Sequence, residues 1–206
     1  MLKILKNIRF DKVIKKKLND KVFIEYGIIK GNNIVVLIKI GKTEALYGND
    51  KRYLKLARIL NEKYGYTVIT SSNPFDGTNP LDNAFEVIEE YVSKKRFDDY
   101  KVYYMGYSSG ARVGMCFGHL YHKIERMLLI NGALHINLHK SKDGLKNVKD
   151  KKVYLVYGKK DSSFVYIELL NSILNENIKL EIVSEADHHF SNMSDEFMQL
   201  PVNYFS

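Results

Sequence analysis

Along this chain, short runs of β-rich apolar residues alternate with segments whose apolar positions recur at helical spacing. Residues 1–20 come first, a weakly amphipathic basic helix or mixed segment in which Leu2, Leu5, Phe10, Ile14 and Leu18 are suited to dock on the body. Residues 22–29 and 34–40 are two β-rich runs joined by Gly31-Asn32-Asn33. So short a Gly/Asn link predicts a hairpin, and with it an antiparallel edge strand beside an inner one. Tyr53, Leu54, Ala57 and Leu60 then mark one face of a helix that Asp50 can cap. Residues 67–70 form the next strand. Asn79 as cap and Pro80 as first helical residue open a second helix, to about Val92, burying Leu81, Phe85 and Ile88. Residues 102–105, 127–130, 153–157 and 180–183 are further buried runs, with helices near 164–174 and from about Ser194.

This alternation predicts an α/β fold: a mostly parallel, doubly wound sheet with an antiparallel N-terminal edge strand. Ligand chemistry in such sheets lies beyond the carboxyl ends of the strands. With no internal repeat, low-complexity tract or long linker, the 206 residues read as one domain, 1–206, with 1–20 as a basic leading segment.

Composition changes this picture little; charge changes it at one place. Hydrophobic residues make up 45% of the chain and charged residues 27%, which are globular values. The net charge is +8, and residues 1–21 alone carry +6 of it. The body is therefore nearly balanced, and no basic patch interleaved with aromatics appears. No nucleic-acid partner is expected. The leading segment suits weak contact with an anionic membrane surface, although such a run is more often a solvated face. Cys116 stands alone, so no internal disulfide forms, and it reads as a small buried hydrophobe. The absence of a long apolar run and of a signal-peptide pattern gives the expectation of a cytoplasmic protein.

The chemistry gathers at Gly106-Tyr107-Ser108-Ser109-Gly110, directly after the run at 102–105. A serine on a tight strand-to-helix turn strains its backbone, and glycines two residues away on each side remove the collisions. This spacing selects Ser108 over Ser109. Gly110, Gly114 and Gly118 then make a stripe without side chains, predicting a helix held close to the sheet. The plainer reading is an ordinary strand-to-helix turn with a flexible Ser-Ser-Gly loop.

A serine nucleophile needs a base, and the base needs an acceptor that fixes its tautomer. Asp161 follows the run at 153–157; His188 and His189 follow the run at 180–183. Ser108, Asp161 and His188 thus lie in sequence order, each past a strand. With Gly106-Tyr-Ser-Ser-Gly110, Tyr157-Gly-Lys-Lys-Asp161 and Glu185-Ala-Asp-His-His-Phe190, the chain resembles a small, lid-less member of the α/β-hydrolase superfamily over roughly residues 34–195. The resemblance implies Ser108 as nucleophile, Asp161 as triad acid and His188 as general base. It also implies an oxyanion hole from the backbone N–H groups of Ser109 and Lys42. Many members have His-Gly at that loop; this chain has Ile40-Gly41-Lys42.

Each role has a competitor. Asp161 is also suited to cap the helix that follows. Asp187 competes as the acid, though its place beside His188 aligns it badly with that ring. His189 competes with His188, which the motif favours. His119 with His122, and His135 with His139, lack a clear third ligand and read as surface or packing residues. No metal and no cofactor are expected. The roughly twenty residues between Ile130 and Val153 are too few for a large lid. An open pocket is therefore expected, walled by Phe75, Tyr107, Leu134, Phe164 and Phe190. The expected function is a serine hydrolase cleaving a carboxylic ester or thioester of a small-molecule acyl substrate through an acyl-enzyme. An acyltransferase or amidase with the same triad, and a non-catalytic binding protein on the same fold, are the alternatives.

Overall fold

In the computed structural model, which describes residues 8–42, 44–74 and 79–206, the apolar runs become strands. They are Lys12–Lys17 (β1), Phe23–Ile29 (β2), Ile34–Lys39 (β3), Thr67–Ser71 (β4), Lys101–Tyr107 (β5), Ile124–Ile130 (β6), Lys152–Gly158 (β7) and Ile178–Val183 (β8). The helices are Arg52–Tyr64 (α1), Asp82–Lys95 (α2), Ser109–Phe117 (α3), Leu138–Lys146 (α4) and Ser194–Tyr204 (α5), with 3-10 turns over Ser162–Ile173. One sheet runs in the order β1-β2-β4-β3-β5-β6-β7-β8. From β4 through β8 every neighbouring pair is parallel, while β1–β2 and β2–β4 are antiparallel.

Two local expectations fail at the N-terminal end. Gly31-Asn32-Asn33 closes no hairpin. Strand β4 inserts between β2 and β3, pairing Ile29 with Val68 on one side and Val36 with Val68 on the other. The link is held by residues that arrive much later in the chain. The amide of Asn32 donates to the Gly65 carbonyl (2.7 Å), and the Thr67 hydroxyl donates to the Asn32 carbonyl (2.7 Å). The leading segment is also no helix where it is described: Lys12–Lys17 is the edge strand, hairpinned to β2 from Lys12↔Ile28 to Lys17↔Phe23. Its turn is fixed by the Asn19 carboxamide, which accepts from the amides of Lys21 and Val22 (both 2.9 Å). A lysine-rich edge strand blunts the unpaired ladder against further pairing. Phe10 is buried, and Ile14 and Leu18 pack partly on the core; Leu2 and Leu5 lie outside the described residues.

The sheet separates two apolar clusters. Helices α2, α3 and α4 with the turns at 162–173 cover one face. Helices α1 and α5 cover the other. Parallel strands covered on both faces need side chains that are apolar on both, which is why β5, β6 and β7 are near-continuous hydrophobic runs. Cys116 is buried in α3 as a packing residue. The connection from β6 to β7 holds only α4. Among the described residues no helix is long and apolar enough to cross a membrane.

Candidate active site

The parallel strands β5, β7 and β8 all end at one rim, and each hands over to a short loop there. Ser108 follows β5 directly, with φ 54° and ψ −116°. That left-handed backbone is sparsely populated for a residue with a Cβ and marks stored strain. Two things hold it. The Ser108 amide donates to the Ile130 carbonyl (2.9 Å). The flanking glycines let the chain fold back on itself: a Cβ on Gly106 would lie 2.6 Å from the Ala111 backbone, and one on Gly110 would lie 2.0 Å from the Lys39 carbonyl oxygen. The second contact also sets the end of β3 against the start of α3.

The three residues read from the sequence meet. His188 Nε2 lies 3.0 Å from Ser108 Oγ. His188 Nδ1 is hydrogen-bonded to Asp161 Oδ2. The Asp161 side chain is fully buried, and its other oxygen accepts the Ser163 amide (2.6 Å). Asp161 therefore caps the following turns and faces His188 at once, so its two readings are compatible. A hydroxyl, an imidazole and a buried carboxylate in line can move a proton off the hydroxyl while the carboxylate steadies the imidazolium.

The competitors are engaged elsewhere. Asp187 turns its carboxylate onto its own loop, accepting from the amides of His189 (3.0 Å) and Ser191 (2.9 Å). The Ser191 amide and hydroxyl, with the His189 amide, hold it below the usual carboxylate range. The His189 Nδ1 lies 3.2 Å from the Tyr107 hydroxyl, its ring nearly perpendicular to that of His188. His139, itself exposed, pairs with Asp143 one turn along α4. Among the described residues no three His, Cys, Asp or Glu side chains gather as a metal site would require.

Residues with no motif to announce them position the histidine loop. Asn131, fully buried just past β6, donates to the carbonyls of Asp187 (3.0 Å) and His188 (2.9 Å) and accepts from the Gly158 amide (2.8 Å). It thus ties the strand before Asp161 to the loop carrying His188. The Asn-Gly pair after a buried run was the available signal, and the left-handed backbone at Asn131 (φ 46°) is what it marked. Tyr107 donates its hydroxyl to the His188 carbonyl (2.7 Å). Burial pushes that phenol up to about 12, against the opposing Arg52 guanidinium, so it stays a donor at neutral pH.

The other expected site residues divide. Ser109 opens α3, and its hydroxyl accepts from the Asn73 carboxamide (2.9 Å). Lys42 is exposed in the turn after β3, where Gly41 donates its amide to Glu44 Oε2 (2.9 Å). An open wall touches solvent when empty. Leu134 at 0% exposure and Tyr107 at 1% do not, so both are core residues rather than walls. Phe190 is also buried, packed edge-on against Phe197. Phe164 is half-buried near Asp161, and Phe75 lies outside the described residues.

No protein-family model matches the chain, and no curated protein matches it by sequence. Solved structures do resemble it. Est1E from Butyrivibrio proteoclasticus superposes with a TM-score of 0.70 at 14% identity, covering 94% of this chain and 98% of that one. The Pyrococcus furiosus esterase Pf2001 gives 0.71 at 13%, covering 94% and 88%. An alpha-beta serine hydrolase homologue from Coxiella burnetii gives 0.70 at 12%, covering 98% and 100%. Identities this low speak to architecture alone. Strand order, the strained turn after β5 and these superpositions lead to one conclusion: the chain has the α/β-hydrolase fold.

Proposed function

We propose that this protein is a serine hydrolase that cleaves a carboxylic ester or thioester of a small or medium acyl group. One observation carries the reading: the unbroken hydrogen-bonded line from Ser108 Oγ through His188 to the buried Asp161 carboxylate. His188 Nε2 removes the Ser108 proton as Oγ attacks the carbonyl carbon. The amides of Ser109 and Lys42 receive the charge that develops on the carbonyl oxygen. His188 then gives the proton to the leaving alcohol or thiol. Water, deprotonated by the same ring, releases the acid and restores Ser108. Asp161 holds the ring in the tautomer that has Nε2 free and steadies the imidazolium. Esterases and a serine hydrolase homologue among the similar folds are in keeping with hydrolysis as the reaction.

A serine-directed fluorophosphonate tests the role of Ser108. Wild type is labelled and hydrolyses short nitrophenyl esters; Ser108→Ala does neither. Equal labelling of the two proteins overturns the assignment, and a wild type that neither labels nor turns over leaves a binding protein as the reading.

A further inference from the structure

Arg52 occupies a place that helix electrostatics does not favour. It is the first residue of α1, at the positive end of the helix dipole, where a cation is destabilising. The chain enters it through two successive non-glycine residues in the left-handed region, Asp50 (φ 49°) and Lys51 (φ 58°). Each such position is strained backbone for a residue with a Cβ. Strain and an adverse dipole aim a guanidinium that is only 13% exposed into the space between three loops.

Its contacts reach all three. Nη2 lies 2.6 Å from Glu44 Oε1 and 2.9 Å from the Tyr53 hydroxyl. The other Glu44 oxygen accepts the Gly41 amide, one residue before Lys42, and the Tyr53 hydroxyl. Nη1 donates to the His189 carbonyl at the outer limit of 3.4 Å. The guanidinium stacks 4.6 Å from the ring of Tyr107, the residue before Ser108 and the donor to the His188 carbonyl. Phe197 of α5 closes the stack at 4.9 Å. One planar group thus touches the oxyanion turn through Glu44, the nucleophile strand through Tyr107, and the histidine loop directly.

We propose that Arg52, paired with Glu44, is a positioning residue that holds the oxyanion turn and the histidine loop at a fixed distance across Ser108. It rests on the hydrolase reading above. The pair does not touch the substrate. It sets where the Lys42 amide stands relative to His188 Nε2, so its loss slows acylation and deacylation alike, since both steps use that amide and that nitrogen, and leaves ground-state binding alone. The geometry needs a plane with several donors, which a lysine point charge does not supply.

The test compares wild type with Arg52→Gln, Arg52→Lys, Glu44→Gln and the double variant Glu44→Gln/Arg52→Gln. It reads fluorophosphonate labelling rate, kcat and KM for nitrophenyl butyrate, and thermal midpoint. Arg52→Gln is expected to slow labelling and kcat on the order of 10²-fold, the effect of misplacing a reacting group by about 1 Å. KM stays within about twofold, as for an interaction absent from the ground state. Arg52→Lys does not restore the rate, and the double variant is no slower than Arg52→Gln, because the two act as one unit. A folded Arg52→Gln with wild-type labelling and kcat overturns the proposal, as does a rise in KM with kcat unchanged. Should Arg52→Gln fail to fold, Glu44→Gln and Arg52→Lys decide by the same criterion. A wild type that does not label removes the hydrolase reading and this inference with it; a labelled wild type with unimpaired variants removes only the inference.

Discussion

The two ends of the sheet are built on different terms. From β5 to β8 the strands run parallel, so their carboxyl ends share one rim, and residues 108, 131, 161 and 188 converge there although they are spread over eighty positions. Left-handed non-glycine backbone recurs at this rim, at Ser108, Asn131 and Phe190. At β1 and β2 the strands run antiparallel, the outer strand is largely lysine, and ion pairs from Lys15 to Glu25 and Lys16 to Glu86 supplement its backbone ladder. Arg58 binds both the Asp11 carboxylate (2.7 Å) and the Arg9 carbonyl (2.6 Å). The parallel end accepts strain to converge chemistry. The antiparallel end covers an edge with cheap, exposed contacts. Perturbing the first should cost rate, and perturbing the second should cost a little stability and no rate.

The sharpest contrast comes from Asp161→Asn. The shape is kept while the partner of His188 Nδ1 is lost, so kcat is expected to fall by ~10⁴-fold. Circular dichroism and ester kinetics on one preparation check this, and a fall under tenfold would count against the aspartate's role. Next comes Asn131→Ala. It releases the histidine loop and leaves the buried Gly158 amide unpaired, so stability falls by ~1–3 kcal/mol. The rate is expected to fall by ~10–100-fold as His188 drifts. Urea unfolding beside kcat separates the two effects; lost stability with full kcat would show that Asn131 serves the fold alone.

The smallest effect belongs to the far end. Arg58→Ala removes a partly exposed pair worth ~0.2–1 kcal/mol, with ester kinetics unchanged. Its pH dependence has a definite sign. Partial burial pushes the Asp11 carboxyl up, but the Lys30 amide and Arg58 outweigh it and hold the carboxyl below its usual range. A depressed folded value means that the stabilisation is present above the unfolded value of ~3.9 and is lost as pH falls through the folded one. The gap in thermal midpoint between wild type and Arg58→Ala should therefore be full near neutrality and close below about pH 4. A gap that stays constant down to pH 2 would break this account, and a loss of kcat in Arg58→Ala would break the comparison itself.

The same division governs what the sequence discloses. Strands covered on both faces need unbroken apolar runs, so residues 102–105, 127–130 and 153–157 were legible one by one. The loops after 102–105 and 153–157 carried Ser108 and Asp161 in recognisable surroundings, and the loop after the edge strand β8 carried His188. Strand order was not legible at the N-terminal end. Gly31-Asn32-Asn33 has the composition of a hairpin turn, but its partners are Gly65 and Thr67, and no local pattern carries a contact over more than thirty residues. Lys12–Lys17 hid its strand because an edge of lysines lacks the alternation that marks a half-buried one. Asn131, Glu44 and Arg52, and the positioning contact of Tyr107, were missed for another reason. They act on main-chain carbonyls, amides and ring faces, which impose no residue spacing. Tyr107 and Leu134 read as walls because aromatic and apolar residues near a site look alike from sequence whether they face substrate or core.

The turn that carries Ser108 also restricts which chemistries can evolve or be installed at that position. A branched Cβ is poorly tolerated at φ 54°. Threonine, although an alcohol, is thereby shut out, whereas cysteine is admitted with the same branching as serine. A lineage or a directed-evolution campaign starting from this scaffold can trade oxygen for sulfur at residue 108 in a single step, but it reaches a secondary alcohol only by rebuilding the turn.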